Sequence, residues 1–353
     1  MRNVGPAPRQ EVISLPLEPD IKGKLFSRGL RTLPDIDFHV PSSLVTEAQI
    51  NTEEAVEILQ VCSSMHQGSW RDVGAVSALD ILHSQRGAQR VSTSCYELDR
   101  ILGGGVMCGE VTEFCGVPGI GKTQLGMQLA VNVQIPTTLG GLRRKPVYID
   151  TEGSFMVERL HDIASASVRG YNHKMRALHI DPSRAQEISV EEILDRIHYF
   201  RIHDSAEQVS LVAMLERFLQ ADPEVGIIIV DSVTFHFRQD FRDLAHRTRV
   251  LTKMAQDFMA VAERHSIAVV FMNQVTTKVQ EGLESRLIPA LGDSWGHAAS
   301  TRVILYWQDD SRYAHVYKSP CQQAQKAQYL VSTDGVRDIA PRLTEKRARD
   351  LIN

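Results

Sequence analysis

The 353 residues predict an α/β fold with a mostly parallel sheet around a P-loop, preceded by a small all-helical N-terminal domain. Three observations carry that prediction. Residues 116–123 read Gly-Val-Pro-Gly-Ile-Gly-Lys-Thr, the G-x-x-x-x-G-K-T pattern whose glycine-rich backbone cradles phosphate. Downstream, continuous apolar runs alternate with helix-periodic stretches, as parallel strands covered on both faces require. Upstream of residue 67, helical patterning dominates.

In chain order, residues 1–13 are a loose tail and 14–66 form the helical unit. Ile21 to Leu30 and Pro41 to Leu44 read as short helices. Asn51-Thr52-Glu53-Glu54 is a capping box, with Asn51 as the cap and Glu54 three residues on. Ala55, Ile58, Leu59 and Cys62 follow at i, i+3, i+4, i+7 and give one apolar helix face. About fifty residues bury little surface, so this unit leans on a neighbour or a ligand. Residues 67–90 are a glycine-containing linker around Ala78-Leu79-Asp80-Ile81-Leu82, an apolar patch that docks either on another chain or on this chain's own core.

The core spans 91–340. Gly109 to Phe114 reads as a buried strand, and Leu125, Leu129 and Val133 repeat every four residues as a helix. The motif therefore sits at a strand-to-helix turn, where the helix N-terminus adds positive potential. Lys122 reaches β- and γ-phosphates from there, and the Thr123 hydroxyl ligates Mg²⁺. Further strands are Val147 to Asp150, His198 to His203, Ile227 to Asp231 and Ala268 to Asn273, with helices over 209–220 and 249–265. Arg302 to Trp307, Ala314 to Tyr317 and Tyr329 to Ser332 lack long helices between them and extend the sheet in a mixed manner. Residues 341–353 are a polar tail.

Composition narrows the function classes. Hydrophobic content is 43% and charged content 23%, ordinary for a globular protein. No apolar run approaches membrane-spanning length, and the N-terminus lacks the apolar region of a secretory signal. The five scattered cysteines are odd in number and show no C-x-x-C spacing, which suits free thiols in a reducing compartment rather than a zinc site. With a net charge of −4, any nucleic-acid contact needs a local basic patch.

Three strand ends carry candidate chemistry. Asp231 closes a run of four large apolar residues and is placed to hold a water of the Mg²⁺ shell. Glu152, in Tyr148-Ile149-Asp150-Thr151-Glu152-Gly153, is a general-base candidate for the attacking water; the alternative is a solvated loop acid. Gln274 ends the next strand with an amide that senses the γ-phosphate, or else is a polar strand end.

Together, Gly116–Thr123, Tyr148–Phe155 (YIDTEGSF), Ile227–Ser232 and Asn273-Gln274-Val275 resemble the RecA-like recombinase core of eukaryotes and archaea. Finer matches at Met127–Pro136, Asp150–Val157, Thr276-Thr277-Lys278 and Ser294–Ala299 resemble the C branch of the eukaryotic recombinase paralogues. The resemblance implies a DNA-dependent ATPase subunit that assists homologous recombination and repair of breaks and crosslinks. It implies ATP and Mg²⁺ as cofactors, bound by Gly116, Val117, Pro118, Gly119, Ile120, Gly121, Lys122 and Thr123 with Asp231. Implied partners are the B, D and X-ray-complementing paralogues, the main strand-exchange recombinase, and single-stranded and junction DNA, in the nucleus with some in the cytoplasm. Glu152 and Gln274 are the implied catalytic pair, and Pro320 would cap the nucleotide of an adjacent subunit.

The family's two DNA-facing loops map onto residues after Asp231 and onto 276–294. From His236 to Lys253, five Arg/Lys (238, 242, 247, 249, 253) stand against two Asp, a local net of +3, beside Phe235, Phe237 and Phe241. Cations there neutralise phosphates and aromatics stack on bases, which nominates Arg238, Arg242, Arg247 and Arg249. The second loop offers Lys278 and Arg286. The family's F-x-x-A segment is missing from 67–90, which favours unlike neighbours over self-polymerisation. Arg342 and Lys346-Arg347-Ala348-Arg349 suit a nuclear import signal or a solvated tail. Two other readings compete: a nucleotide-gated scaffold whose hydrolysis is dispensable, and a P-loop kinase for a small substrate.

Overall fold

A computed structural model describes residues 11–36, 39–65, 77–79, 81, 88–137, 141–177, 188–241, 243–278, 286–291 and 293–339. The chain divides into two compact units, Met1–Gly87 and Ala88–Asn353.

In the first unit, helices α1 (Pro19–Ser27), α2 (Leu33–Ile36), α3 (Pro41–Ala48) and α4 (Thr52–Met65) surround one apolar cluster that includes Leu25, Ile36, Leu44 and Ile58. Pro19 and Pro41 open their helices at positions where a missing N–H costs nothing. The capping box forms as expected. Glu54 N–H donates to Asn51 Oδ1 at 2.7 Å, and Asn51 N–H donates to Glu54 Oε2 at 2.8 Å. In the linker, Leu79 and Ile81 are exposed.

The second unit is built on a ten-stranded sheet. A two-residue pair, β1 (Arg90–Val91) with β2 (Val106–Met107), precedes it and brackets helix α5 (Tyr96–Ile101). The sheet strands are β3 (Val111–Gly116), β4 (Lys145–Asp150), β5 (His198–Arg201), β6 (Val225–Asp231), β7 (Ala268–Lys278), β8 (Arg286–Pro289), β9 (Thr301–Gln308), β10 (Ser311–Lys318), β11 (Lys326–Ser332) and β12 (Gly335–Arg337). Their order is β12-β11-β10-β9-β3-β7-β6-β4-β5, with β8 paired to β7. The six strands from β9 to β5 are parallel; β10, β11, β12 and β8 are antiparallel. Every residue of β3 and β6 is buried, which explains the unbroken apolar run Ile227–Val230 in β6.

Helices cover both faces. On one lie α6 (Lys122–Asn132), α7 (Val157–Ala177) and α8 (Val190–Asp195); on the other, α9 (Ser205–Ala221), the short α10 (Phe235–Gln239) and α11 (Leu244–His265). Two of these exceed the sequence expectation. α9 starts at Ser205 because Asp204 accepts from Glu207 N–H. α11 starts at Leu244 because Asp243 accepts from the N–H groups of Ala245 and His246. No helix among the described residues is long and apolar enough to cross a membrane.

Candidate nucleotide site

The P-loop leaves the carboxyl end of β3, in the middle of the sheet. At Gly116 a Cβ atom would stand 2.8 Å from Ile120 Cγ2 and 2.9 Å from Leu305 O, so only glycine fits beside β9. Gly119 (φ 78°) and Gly121 (φ 106°) adopt the left-handed backbone that turns successive N–H groups toward one concavity. The loop is pinned at Ile120, whose carbonyl accepts from Arg312 Nε at 3.2 Å and from the Tyr329 hydroxyl at 3.0 Å. Lys122 opens α6 and donates to the carbonyls of Gly116 (2.9 Å) and Val117 (3.0 Å). Burial lowers its pKa, and the charges of Asp231 and Glu152 oppose that shift.

Asp231, Glu152 and Gln274 gather at the same end of the sheet. Register explains why: Gly116 pairs with Gln274, and Asp150 with Asp231. Asp231 is 2% exposed and accepts from the Tyr148 hydroxyl at 2.9 Å and from Thr123. Burial raises its pKa to about 6, helped by the Glu152 charge and opposed by those two hydrogen bonds and Lys122. Glu152 is exposed; its Oε1 accepts from Ser232 Oγ at 2.5 Å and from Gln274 Nε2 at 3.4 Å. Gln274 Oε1 in turn accepts from Arg238. Ser232, Glu152, Gln274 and Arg238 thus form one hydrogen-bonded chain.

Asp150, which sequence reasoning passed over, shapes the turn that presents Glu152. It is fully buried and accepts from the N–H groups of Glu152, Gly153, Ser154 and Phe155 at 2.7 to 3.3 Å, and from the Tyr199 hydroxyl at 3.0 Å. Phe155 is held between Tyr148 and Tyr199, with ring centroids 4.7 and 4.8 Å away. The signal was available: an aspartate at a strand end, followed by glycine three residues on, is an Asx-turn pattern. Glu113 was missed as well. It is fully buried in β3 and accepts from Asn273 Nδ2 (2.6 Å), Trp295 Nε1 (2.7 Å) and Arg302 Nε. A lone charge inside each of two apolar strands was its trace.

These residues fit a magnesium–nucleoside triphosphate. The left-handed glycines form an anion concavity, and Lys122 is a movable cation beside it. Thr123 with Asp231 offers the sparse oxygen donor set Mg²⁺ accepts when phosphates and waters complete its shell. Among the described residues no group of three His, Cys, Asp or Glu gathers to form an all-protein metal cage.

The expected DNA residues separate. Arg238 and Arg249 are exposed, and Arg247 is half-buried. Arg247 and Arg249 lie on α11 rather than on a loop, since the Asp243 cap extends that helix through them. Arg242 falls outside the described residues. Two of the aromatics are not free faces: Phe237 is fully buried and stacks on the half-buried Phe241 at 5.3 Å, both packed on the apolar cluster beneath α11. Lys278 and Arg286 face each other across the β7–β8 hairpin, so the expected second loop is partly strand; 279–285 lie outside the described residues. Residues 342–349 and most of 67–90 also lie outside them. Pro320 is exposed just beyond β10, where Ser319 Oγ stands 3.4 Å from Thr301 Oγ1 at the start of β9. That is the opposite end of the sheet from the P-loop.

Comparison with known proteins agrees with this architecture. Residues 85–339 match the Rad51 family model. The chain is 40% identical to the DNA repair protein RAD51 homolog 3 of Cricetulus griseus over 345 residues, covering 94% of this chain and 93% of that protein. It is 42% identical to the protein of the same name from Dictyostelium discoideum over 268 residues, covering 75% of this chain and 70% of that protein. A fold, a P-loop context and a full-length likeness that all agree lead to one conclusion: the chain belongs to the Rad51 family.

Proposed function

We propose that this chain is an ATP-dependent DNA-binding subunit of a heteromeric recombinase-paralogue complex that serves homologous recombination and DNA repair in the nucleus. The repair role is supported by the names of its relatives. The observation that carries the ATP dependence is the chain of hydrogen bonds from Ser232 through Glu152 and Gln274 to Arg238. It joins the phosphate end of the sheet to a cation at the start of the basic segment. When bound, magnesium ATP supplies a phosphoanhydride that hydrolysis cleaves. Lys122, now on two P-loop carbonyls, would bind phosphate, Thr123 and Asp231 would hold the Mg²⁺ shell, and Glu152 would orient water. Gln274 would bind the γ-phosphate in place of Arg238, which would leave Arg238 for a DNA phosphate. The exposed cations Arg238 and Arg249, with Arg242 between them in sequence, supply a local positive field in an acidic chain, and Lys278 and Arg286 of the second loop add to it. The partners are the B, D and X-ray-complementing paralogues, and Pro320 closes over a neighbour's nucleotide.

The test is single-strand affinity of the purified complex with and without a non-hydrolysable ATP analogue. Wild type should bind more tightly with the analogue, and Gln274→Ala should bind equally in both conditions. A Gln274→Ala protein that keeps the full nucleotide response removes the coupling. The scaffold alternative is separated by Lys122→Ala and Glu152→Gln: repair lost in the first and intact in the second means that binding alone matters.

A further inference from the structure

A second polar cavity, of about 290 Å³, opens beside the carboxyl end of α6, between β1, the segment at 141–142, α7 and β12. None of the P-loop residues, Glu152, Asp231 or Gln274 lines it. Three cations do, Arg90, Lys174 and Arg337, and among the described residues no carboxylate does. The guanidinium groups are held by neutral acceptors. Arg90 Nη1 donates to Leu102 O at 3.1 Å, and Arg337 Nη1 to Gln128 Oε1 at 2.9 Å and Val336 O at 2.7 Å. The carboxylate that acts on Arg337, Asp334, is itself paired with Arg169 at 3.0 Å. Glu110 acts on Arg90 from outside the cavity, so among the described residues the wall itself carries positive charge and no carboxylate, an arrangement that favours an anion.

The remaining wall adds both kinds of contact an organic anion needs. Ser94 and Asn132 are polar, while Leu142 and the Tyr171 ring are apolar. Gly170 is the independent observation. It lies inside the 21-residue helix α7, where glycine costs about 1 kcal/mol against alanine. A Cβ at Gly170 would meet nothing within 4 Å, so backbone packing does not demand glycine there. What its lack of a side chain does provide is room at the cavity wall.

We propose that this cavity binds an organic phosphate of mononucleotide size, with the phosphate on the Arg90, Lys174 and Arg337 side and the apolar portion against Leu142 and Tyr171. The test is calorimetric titration of AMP onto the full chain with its P-loop saturated by magnesium and a non-hydrolysable ATP analogue. One equivalent of AMP should bind per chain. Lys174→Ala should weaken it about tenfold, the loss expected for one charge-assisted hydrogen bond. Gly170→Gln should abolish it by filling the space, and, as a better helix former, it should hold or raise the melting temperature. Both variants should keep their uptake of the ATP analogue. The proposal is overturned if the parent chain takes up no AMP, if Gly170→Gln binds AMP unchanged, or if a 5′-phosphorylated oligonucleotide binds there while AMP does not.

Discussion

Asp231 shows how a single buried carboxylate ties stability to ligand chemistry. Burial raises its pKa from the ordinary 3.8 to about 6, so the folded chain holds this proton more tightly than the unfolded chain does. The stabilisation is complete below about pH 4 and is lost as pH rises through about 6. At neutral pH the bare carboxylate therefore weighs against the fold by about 2–3 kcal/mol, from roughly two pKa units at about 1.4 kcal/mol each. A bound Mg²⁺ shell would favour the ionised form and remove that cost. Asp231→Asn keeps an acceptor for Tyr148 and Thr123 but cannot ionise. In magnesium-free buffer at pH 7 it should melt higher than wild type, with the gap narrowing below about pH 6 and closing near about pH 4. It should gain nothing from added magnesium ATP. Equal melting curves at pH 7 would mean that Asp231 is hydrated and its burial idle.

At the level of elements, β6 and the first half of β7 were legible because a strand covered on both faces is largely apolar, and Asp231 was legible as the end of β6. Gln274 read as a strand end, but β7 runs on through Lys278, and Glu152 stands two residues beyond β4. The start of α11 was not. Its first turns carry His246, Arg247 and Arg249, and charge there reads as loop until the Asp243 cap is seen. Phe237 and Phe241 misled for a related reason: aromatics near cations resemble a stacking platform, yet these two stack on each other and pack on the core. The Glu113–Arg302 pair was out of reach for another reason, since periodicity does not say that β3 and β9 are neighbours. This pair joins β3 and β9, while Asn273 brings in β7 and Trp295 the residues that lead into β9. Glu113→Leu should cost about 3–5 kcal/mol in urea denaturation, because it leaves Arg302 buried and uncompensated. The double variant with Arg302→Met should recover much of that loss. A double variant no better than the single would show that the pair's hydrogen bonds to Asn273 and Trp295, not its charge balance, hold these elements together.

For the second unit as a whole, the direction of β10 has the largest consequence. It begins beside the P-loop, where Arg312 reaches the Ile120 carbonyl, and runs antiparallel to β9 over eight residues, about 25 Å. Pro320 is therefore carried to the amino ends of the parallel strands, while Gly116–Thr123, Glu152, Asp231 and Gln274 stay at their carboxyl ends. One copy of the chain cannot bring Pro320 to its own phosphate loop without dismantling the sheet. A capping role requires a second subunit, with one molecule's amino-end edge against the other's carboxyl-end edge, and such head-to-tail contacts permit unlike neighbours. Nucleotide at that junction should tighten it by mass action. In the co-expressed complex, magnesium with a non-hydrolysable ATP analogue should raise the assembled fraction seen in sedimentation. Pro320→Glu should lower that gain, yet leave the isolated chain's own nucleotide affinity unchanged. If Pro320→Glu weakens nucleotide binding by the isolated chain, or if assembly ignores the analogue, the two ends of the sheet are not halves of one shared site.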